Sequence, residues 1–165
     1  MDSIIAIVAL LVSLVALGVS VMTLRRSLRP LVTASVRTHS SGNVAITYSL
    51  VLLNSGSVPA RNVRLEVEEK DLRAALGTGA TDLRKDMWLA CFHADNSIPV
   101  LQNGQQVSCS FGLTNGPEDG FWKYKSSIAI RVTYESWFGK KHSEVQTIRI
   151  VDSTSFTGLS WAIDA

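Results

Sequence analysis

From Ile4 to Leu24 the chain carries no charged side chain, and Leu, Ile, Val and Ala dominate. A helix of that length rises about 31 Å at about 1.5 Å per residue, close to the roughly 30 Å of bilayer hydrocarbon. A core helix of a soluble domain shows a polar face, whereas only scattered Ser and Thr interrupt this run. The pattern predicts one transmembrane helix.

After Arg29-Pro30 the period changes to two, because the residue before proline is pushed toward extended backbone. Val32, Ala34 and Val36 alternate with Thr33, Ser35 and Arg37. Beyond a Gly42-Asn43 turn, Val44, Ile46, Tyr48, Leu50 and Leu52 share a face; Val63, Leu65 and Val67 do so after Asn54-Ser55-Gly56. Lys70 to Asp86 reads as a charged, exposed crossover in which Asp71 to Leu76 makes a helical turn. Trp88 to Phe92 reads as strand. Asn103-Gly104 is a turn, and Val107, Cys109, Phe111 and Leu113 then lie on one side. The clearest hairpin is the last: Ile128, Ile130, Val132 and Tyr134 run in, Ser136 to Lys141 turns, and Val145 to Val151 runs back.

Six or seven alternating strands separated by turn signals predict a mainly β fold. The expected class is an immunoglobulin-like antiparallel β-sandwich preceded by one N-terminal transmembrane α-helix. Its divisions are a helix with a juxtamembrane basic segment (1–29), the sandwich (30–152) and a C-terminal tail (153–165). Phe156, Leu159 and Trp161 in that tail predict that it either frays or docks.

Within the helix, Ala6, Ala9, Ser13, Ala16, Ser20 and Thr23 recur at spacings of three and four, with Asp2 and Ser27 extending the register. Gly18 is the only other small residue of the span. Alternating three-four spacing is the seam of a left-handed helix pair, and small residues there let backbones approach in lipid. The expectation is a helix that packs against itself or another membrane protein.

The whole chain has 16 basic and 14 acidic residues. Arg25, Arg26 and Arg29 account for the excess, so the domain is neutral and lacks the basic footprint of nucleic-acid binding. Those arginines flank the span and tend to stay in the cytoplasm. They predict a cell-membrane protein with its N-terminus outside and its β domain cytosolic. A cleaved signal peptide is the competing reading, but Met1-Asp2-Ser3 has no basic residue and Ala16-Leu17-Gly18 is a weak cleavage site.

Candidate chemistry is sparse. His39, His93 and His142 lie in separate segments without ligand spacing, so no metal, cofactor or catalytic residue is assigned. Cys91 and His93 fall on one side of the expected strand, and Cys109 reads as a core thiol. Gly77-Thr78-Gly79 lacks the ending of a phosphate loop and reads as a flexible loop, while Glu66 and Glu68 fall on the solvated face. Phe121-Trp122-Lys123-Tyr124 is expected to cap the core. Trp137 and Phe138, beside Lys140 and Lys141 at the last hairpin tip, either bind a partner or cap the other end.

The stretch Asn54-Ser-Gly-Ser-Val-Pro-Ala-Arg-Asn-Val63 resembles the strand-turn-strand phrase of bacterial immunoglobulin-like domains of the CARDB type. The Asn103-Gly104 turn and the last hairpin, with Tyr134 ahead of Gly139, are similar to the same pattern. The resemblance implies a sandwich with an adhesion or assembly role, usually outside the cell, and no catalytic residues. The expected function is a membrane-anchored protein-binding or assembly module in contact with the lipid bilayer, with an unidentified protein partner for the β domain. The alternatives are an extracytoplasmic adhesion or receptor domain with a Cys91–Cys109 bridge and, third, an enzyme.

Overall fold

A computed structural model describes residues 2–42 and 44–152 of the chain. Helix α1, Asp2–Ser27, is long and apolar enough over Ala6–Leu24 to cross a membrane, and none of that window is buried in the protein. Such a helix serves equally as a membrane span or as a signal sequence. Leu28 N–H still bonds Leu24 C=O at 2.9 Å, and then Pro30, which has no N–H to donate, marks the change to strand.

Two antiparallel sheets follow. The first contains β1 (Val32–Ser41), β2 (Ile46–Asn54) and β5 (Gln106–Thr114), in the order β1-β2-β5. The second contains β3 (Ala60–Val67), β4 (Ile98–Leu101), β6 (Ser127–Ser136) and β7 (Lys141–Arg149), in the order β4-β3-β6-β7. This three-on-four arrangement is the expected immunoglobulin-like sandwich. The alternating residues fill its core: Val32, Tyr48, Leu50 and Leu52 from one sheet, Val63, Leu65, Ile128, Ile130, Val132 and Ile148 from the other.

One lateral edge is clipped by a glutamine side chain. Strands β1 and β7 end their respective sheets next to each other, and Gln146 bridges them. Its Nε2 donates to Val32 C=O and its Oε1 accepts from Ala34 N–H, both at 2.8 Å. The amide thus stands in for a neighbouring strand and satisfies edge groups that would invite another chain.

The opposite edge departs from the sequence expectation. Trp88 to Phe92 is not a strand: it is the end of helix α3 (Asp82–Trp88) and a 3-10 turn, Ala90–Phe92. Trp88 and Phe92, four residues apart, both reach the core, where Trp88 meets Phe121 edge-on at 4.9 Å and Phe92 meets Phe111 at 6.1 Å. A five-residue apolar run fits either period, and this packing selects the helical one. The missing strand is β4, which among the described residues pairs with β3 alone and carries Pro99, an edge-strand residue. The crossover holds helix α2, Glu69–Ala75, at the expected helical turn, and α3 after it. Val44, expected inside, is 77% exposed because β2 begins only at Ile46.

Candidate membrane-proximal interface

Strand direction decides which turns meet the helix. Val32 pairs with Asn54, and Ala60 pairs with both Leu101 and Ser136. The β2–β3, β4–β5 and β6–β7 turns therefore gather where the chain leaves α1. The β1–β2 turn and the long β5–β6 connection lie at the far end.

The centre of the near end is Asn54, fully buried. Its Oδ1 accepts from Leu31 N–H at 3.2 Å and Gly56 N–H at 3.0 Å, and its Nδ2 donates to Val58 C=O at 2.9 Å and Leu101 C=O at 3.0 Å. All the bonding capacity of one amide is used, and it ties the linker to two turns. Ser55 N–H adds a bond to Leu31 C=O at 2.9 Å and Ser57 N–H one to Arg29 C=O at 3.2 Å. A Cβ on Gly56 would press into the backbone of Arg29, Pro30 and Leu31, so only glycine allows this approach. The segment that follows the helix thus enters the domain through a braced joint.

Beside that joint, Tyr134 is buried, donates to Glu144 Oε1 at 3.1 Å and lies 3.5 Å from Pro30 C=O. Burial, with the Glu144 carboxylate next to it, pushes the phenol up to about 12. His142 stacks on the Tyr134 ring at 5.1 Å, and its buried Nε2 has no hydrogen-bond partner among the described residues. Burial and the nearby Lys140 ammonium lower the pKa of the His142 imidazole.

The hairpin tip closes this end. Ser136, buried, ties the turn by donating its N–H to Lys140 C=O at 2.8 Å and accepting Lys140 N–H on its Oγ at 3.2 Å. Trp137 and Phe138 project 56% and 65% exposed, with the Arg61 guanidinium over the Trp137 ring at 5.6 Å. Between tip and helix lies a cleft of about 820 Å³, lined by Met22, Leu28 and Arg29 on one side and Phe138, Lys140 and His142 on the other. Met22 belongs to the apolar window of α1, so the structure brings the tip to the end of the candidate span. Lys140 and Lys141 are exposed there.

The other candidates fall elsewhere. Ala6, Ala9, Ser13, Ala16, Ser20 and Thr23 are exposed along α1, where the fold leaves them uncovered. Ser13 Oγ and Thr23 Oγ1 donate to Ala9 C=O and Val19 C=O in their own helix, both at 2.9 Å, so their protons are already committed. Phe121 and Trp122 are fully buried and plug the far end, as the sequence led us to expect. The Gly77-Thr78-Gly79 segment is no free loop: its three N–H groups bond Phe121, Glu118 and Gly120 C=O at 2.8, 3.2 and 2.8 Å, clasping that plug. Glu66 and Glu68 are solvated, paired with Arg131 at 3.9 Å and Lys70 at 2.7 Å. Among the described residues no three His, Cys, Asp or Glu side chains gather to hold a metal ion.

Cys109 is a correction. It pairs with the inward-facing Leu50 but is exposed, because β5 is an edge strand and the four-residue β4 leaves the space opposite it open. Cys91 reaches the same opening from the 3-10 turn, while His93 points away into solvent. Sequence reasoning missed the roles of Asn54, Gly56 and Gln146 altogether. The Asn-x-Gly phrase marked the right place, but nothing local tells what its amide bonds.

Helix and sheets together define a class: an immunoglobulin-like sandwich preceded by an N-terminal apolar helix. A family model described as "Domain of unknown function (DUF8453)" matches residues 3–153, and the chain belongs to that family. The match takes in helix and sandwich as one unit. No curated protein matches the chain.

Proposed function

We propose that the protein is a single-pass membrane protein acting as a membrane-anchored protein-binding or assembly module. Its helix is retained as the span and pairs through the Ala6, Ala9, Ser13, Ala16, Ser20 and Thr23 seam. Its sandwich lies on the cytosolic side with the helix-bearing end seated on the bilayer. The observation that carries this reading is the braced joint, which sets the Trp137–Phe138 tip beside Met22 at the end of the apolar window. Tryptophan favours the membrane–water interface, and each Lys or Arg near anionic headgroups contributes about 1 kcal/mol. Arg29, Lys140 and Lys141 are placed to do so. A domain held this close leaves its flanks and far end for a protein partner, in keeping with the resemblance to CARDB-type assembly domains.

The test is association of the full chain in a membrane. Ala9→Leu or Ala16→Leu should disrupt it by forcing backbones apart, while Leu11→Ala and Leu14→Ala on the opposite face should leave it intact. Ser13→Ala should cost little, because that hydroxyl already bonds its own helix. Equal effects on both faces, or a monomer throughout, would remove the pairing. Orientation has its own check. After mild reduction, a membrane-impermeant thiol reagent should reach the exposed Cys109 only in opened cells, and labelling in intact cells would reverse the topology.

A further inference from the structure

The β4–β5 side of the sandwich holds an apolar opening of about 340 Å³ between the sheets, floored by Leu50, Leu52 and Leu65. Two of its walls carry thiols. Cys91 comes from the 3-10 turn and Cys109 from β5, with β4 and the Asn103–Gly104 turn between them in the chain. The opening has this shape because β4 is only four residues long and, among the described residues, neither sheet continues past it. Both cysteines are free in the structure and both line this one opening.

We propose that Cys91 and Cys109 form a dithiol site that is converted to an intramolecular disulfide by thiol–disulfide exchange with a small-molecule disulfide. The two thiols are not equivalent. Cys109 is the exposed one, and Cys91 is partly buried against the core. The neighbouring Cys91 thiol lowers the pKa of the Cys109 thiol, while Cys109 and burial raise that of Cys91. Thiolate is the attacking form, so Cys109 opens the exchange. Its sulfur attacks one sulfur of the small disulfide, the S–S bond breaks, and one equivalent of small thiol leaves. Cys91 then gives up its proton and attacks Cys109 in the mixed disulfide, expelling the second small thiol. One small disulfide is reduced to two thiols, and the protein dithiol loses two protons and two electrons to become the disulfide.

The bond would fasten the 3-10 turn to the edge of the three-stranded sheet across the mouth of the opening. That turn now rests on the Phe92–Phe111 contact and on Asn96 Nδ2 donating to Ala90 C=O at 2.7 Å. Oxidation therefore closes the side of the sandwich that Gln146 leaves open, and reduction reopens it. The chemistry is the same on either side of a membrane, so it stands or falls apart from the proposed topology.

The experiment treats the full chain in detergent micelles with oxidised glutathione, then denatures it and alkylates it with a maleimide carrying a mass tag. Reduced protein should take two tags. Oxidised protein should take none, run as a monomer without reductant, and recover both tags after reduction. Cys91→Ser, lacking the resolving thiol, should accumulate a mixed disulfide at Cys109, whereas Cys109→Ser should react far more slowly. Two tags retained after oxidation, or disulfide-linked dimers in place of the internal bond, would overturn the proposal. Wild-type protein alone separates these outcomes, whether or not either variant folds.

Discussion

Two neighbouring pairs of aromatic residues, Phe121-Trp122 and Trp137-Phe138, look alike in the chain: each sits in a turn-rich segment, next to lysine and glycine. In the folded protein they are opposites. Phe121 and Trp122 are fully buried, edge to face at 4.7 Å, with Trp122 Nε1–H donating to Phe111 C=O. Three elements make room for them. Gly112, at φ +82°, is where a Cβ would come within 2.6 Å of Phe121; the Gly77–Gly79 backbone clasps them, and Trp88 packs edge-on against Phe121 from outside. At the other end, among the described residues, Trp137 and Phe138 meet the Arg61 guanidinium and the cleft beside α1. One end of the sandwich is sealed by its own side chains. The other leaves the Trp137 and Phe138 rings exposed near the point where the candidate membrane span ends. Composition does not separate the two pairs; what approaches them from distant segments does.

The largest expected effect tests the contrast directly. Trp122→Ala should destabilise the protein by about 3–5 kcal/mol through the cavity it leaves. Trp137→Ala should stay within about 0.5 kcal/mol, as surface changes do. Urea unfolding of the full chain in detergent measures both. Similar losses for the two would mean that the tip belongs to the core.

Next comes the joint. Asn54→Ala deletes four hydrogen bonds, leaving Leu31 N–H partly buried and Leu101 C=O fully buried without this partner, at about 1–3 kcal/mol for a buried unpaired group. Beyond that loss, the variant should loosen the linker. Amide hydrogen exchange at Leu31, Ser55 and Ser57 should rise ahead of exchange in β6. Uniform acceleration across the domain would show that Asn54 only adds stability and does not brace the helix.

The third outcome has little energetic cost and sharpens the contrast most. The double change Trp137→Ser and Phe138→Ser should leave the unfolding midpoint nearly unmoved. In bilayers with brominated acyl chains, it should abolish the part of the tryptophan fluorescence that bromine quenches. Quenching that survives the change would detach the tip from the bilayer and return it to a protein partner.

The smallest effect is electrostatic. The folded pKa of His142 lies below the ordinary value of about 6.5, so the unfolded chain takes up the proton first as pH falls. Stability contributed by the neutral ring is present above that pH and is lost below it. The gap in unfolding midpoint between wild type and His142→Phe should therefore change as pH drops through about 6.5. The ring is partly exposed, so solvent screening keeps the change small. Two parallel curves would mean that the stacked imidazole titrates freely.

The α1 window and most of the strands were legible because their signals are local. An apolar run of bilayer length and strict alternation at Val32–Val36, Val63–Val67 and Ile128–Tyr134 each follow from one backbone period. Where two periods fit the same few residues, as at Trp88 to Phe92, the pattern was misread as strand and core packing chose the helix. Burial at Cys109 was misread for a related reason. Alternation tells which face a side chain takes, but not whether another strand covers that face.

The residue pattern alone was enough for the apolar helix, the two-sheet mainly β class and the inward side of most strands. Each is set by neighbours a few positions apart, where covalent geometry does the work. The meeting of Cys91 with Cys109 depended on the whole chain being folded. So did the four bonds of Asn54, the Gln146 clip between β1 and β7, and the opposite fates of Trp122 and Trp137. These side chains find partners tens of residues away, and only the strand order brings those partners within hydrogen-bonding or van der Waals reach.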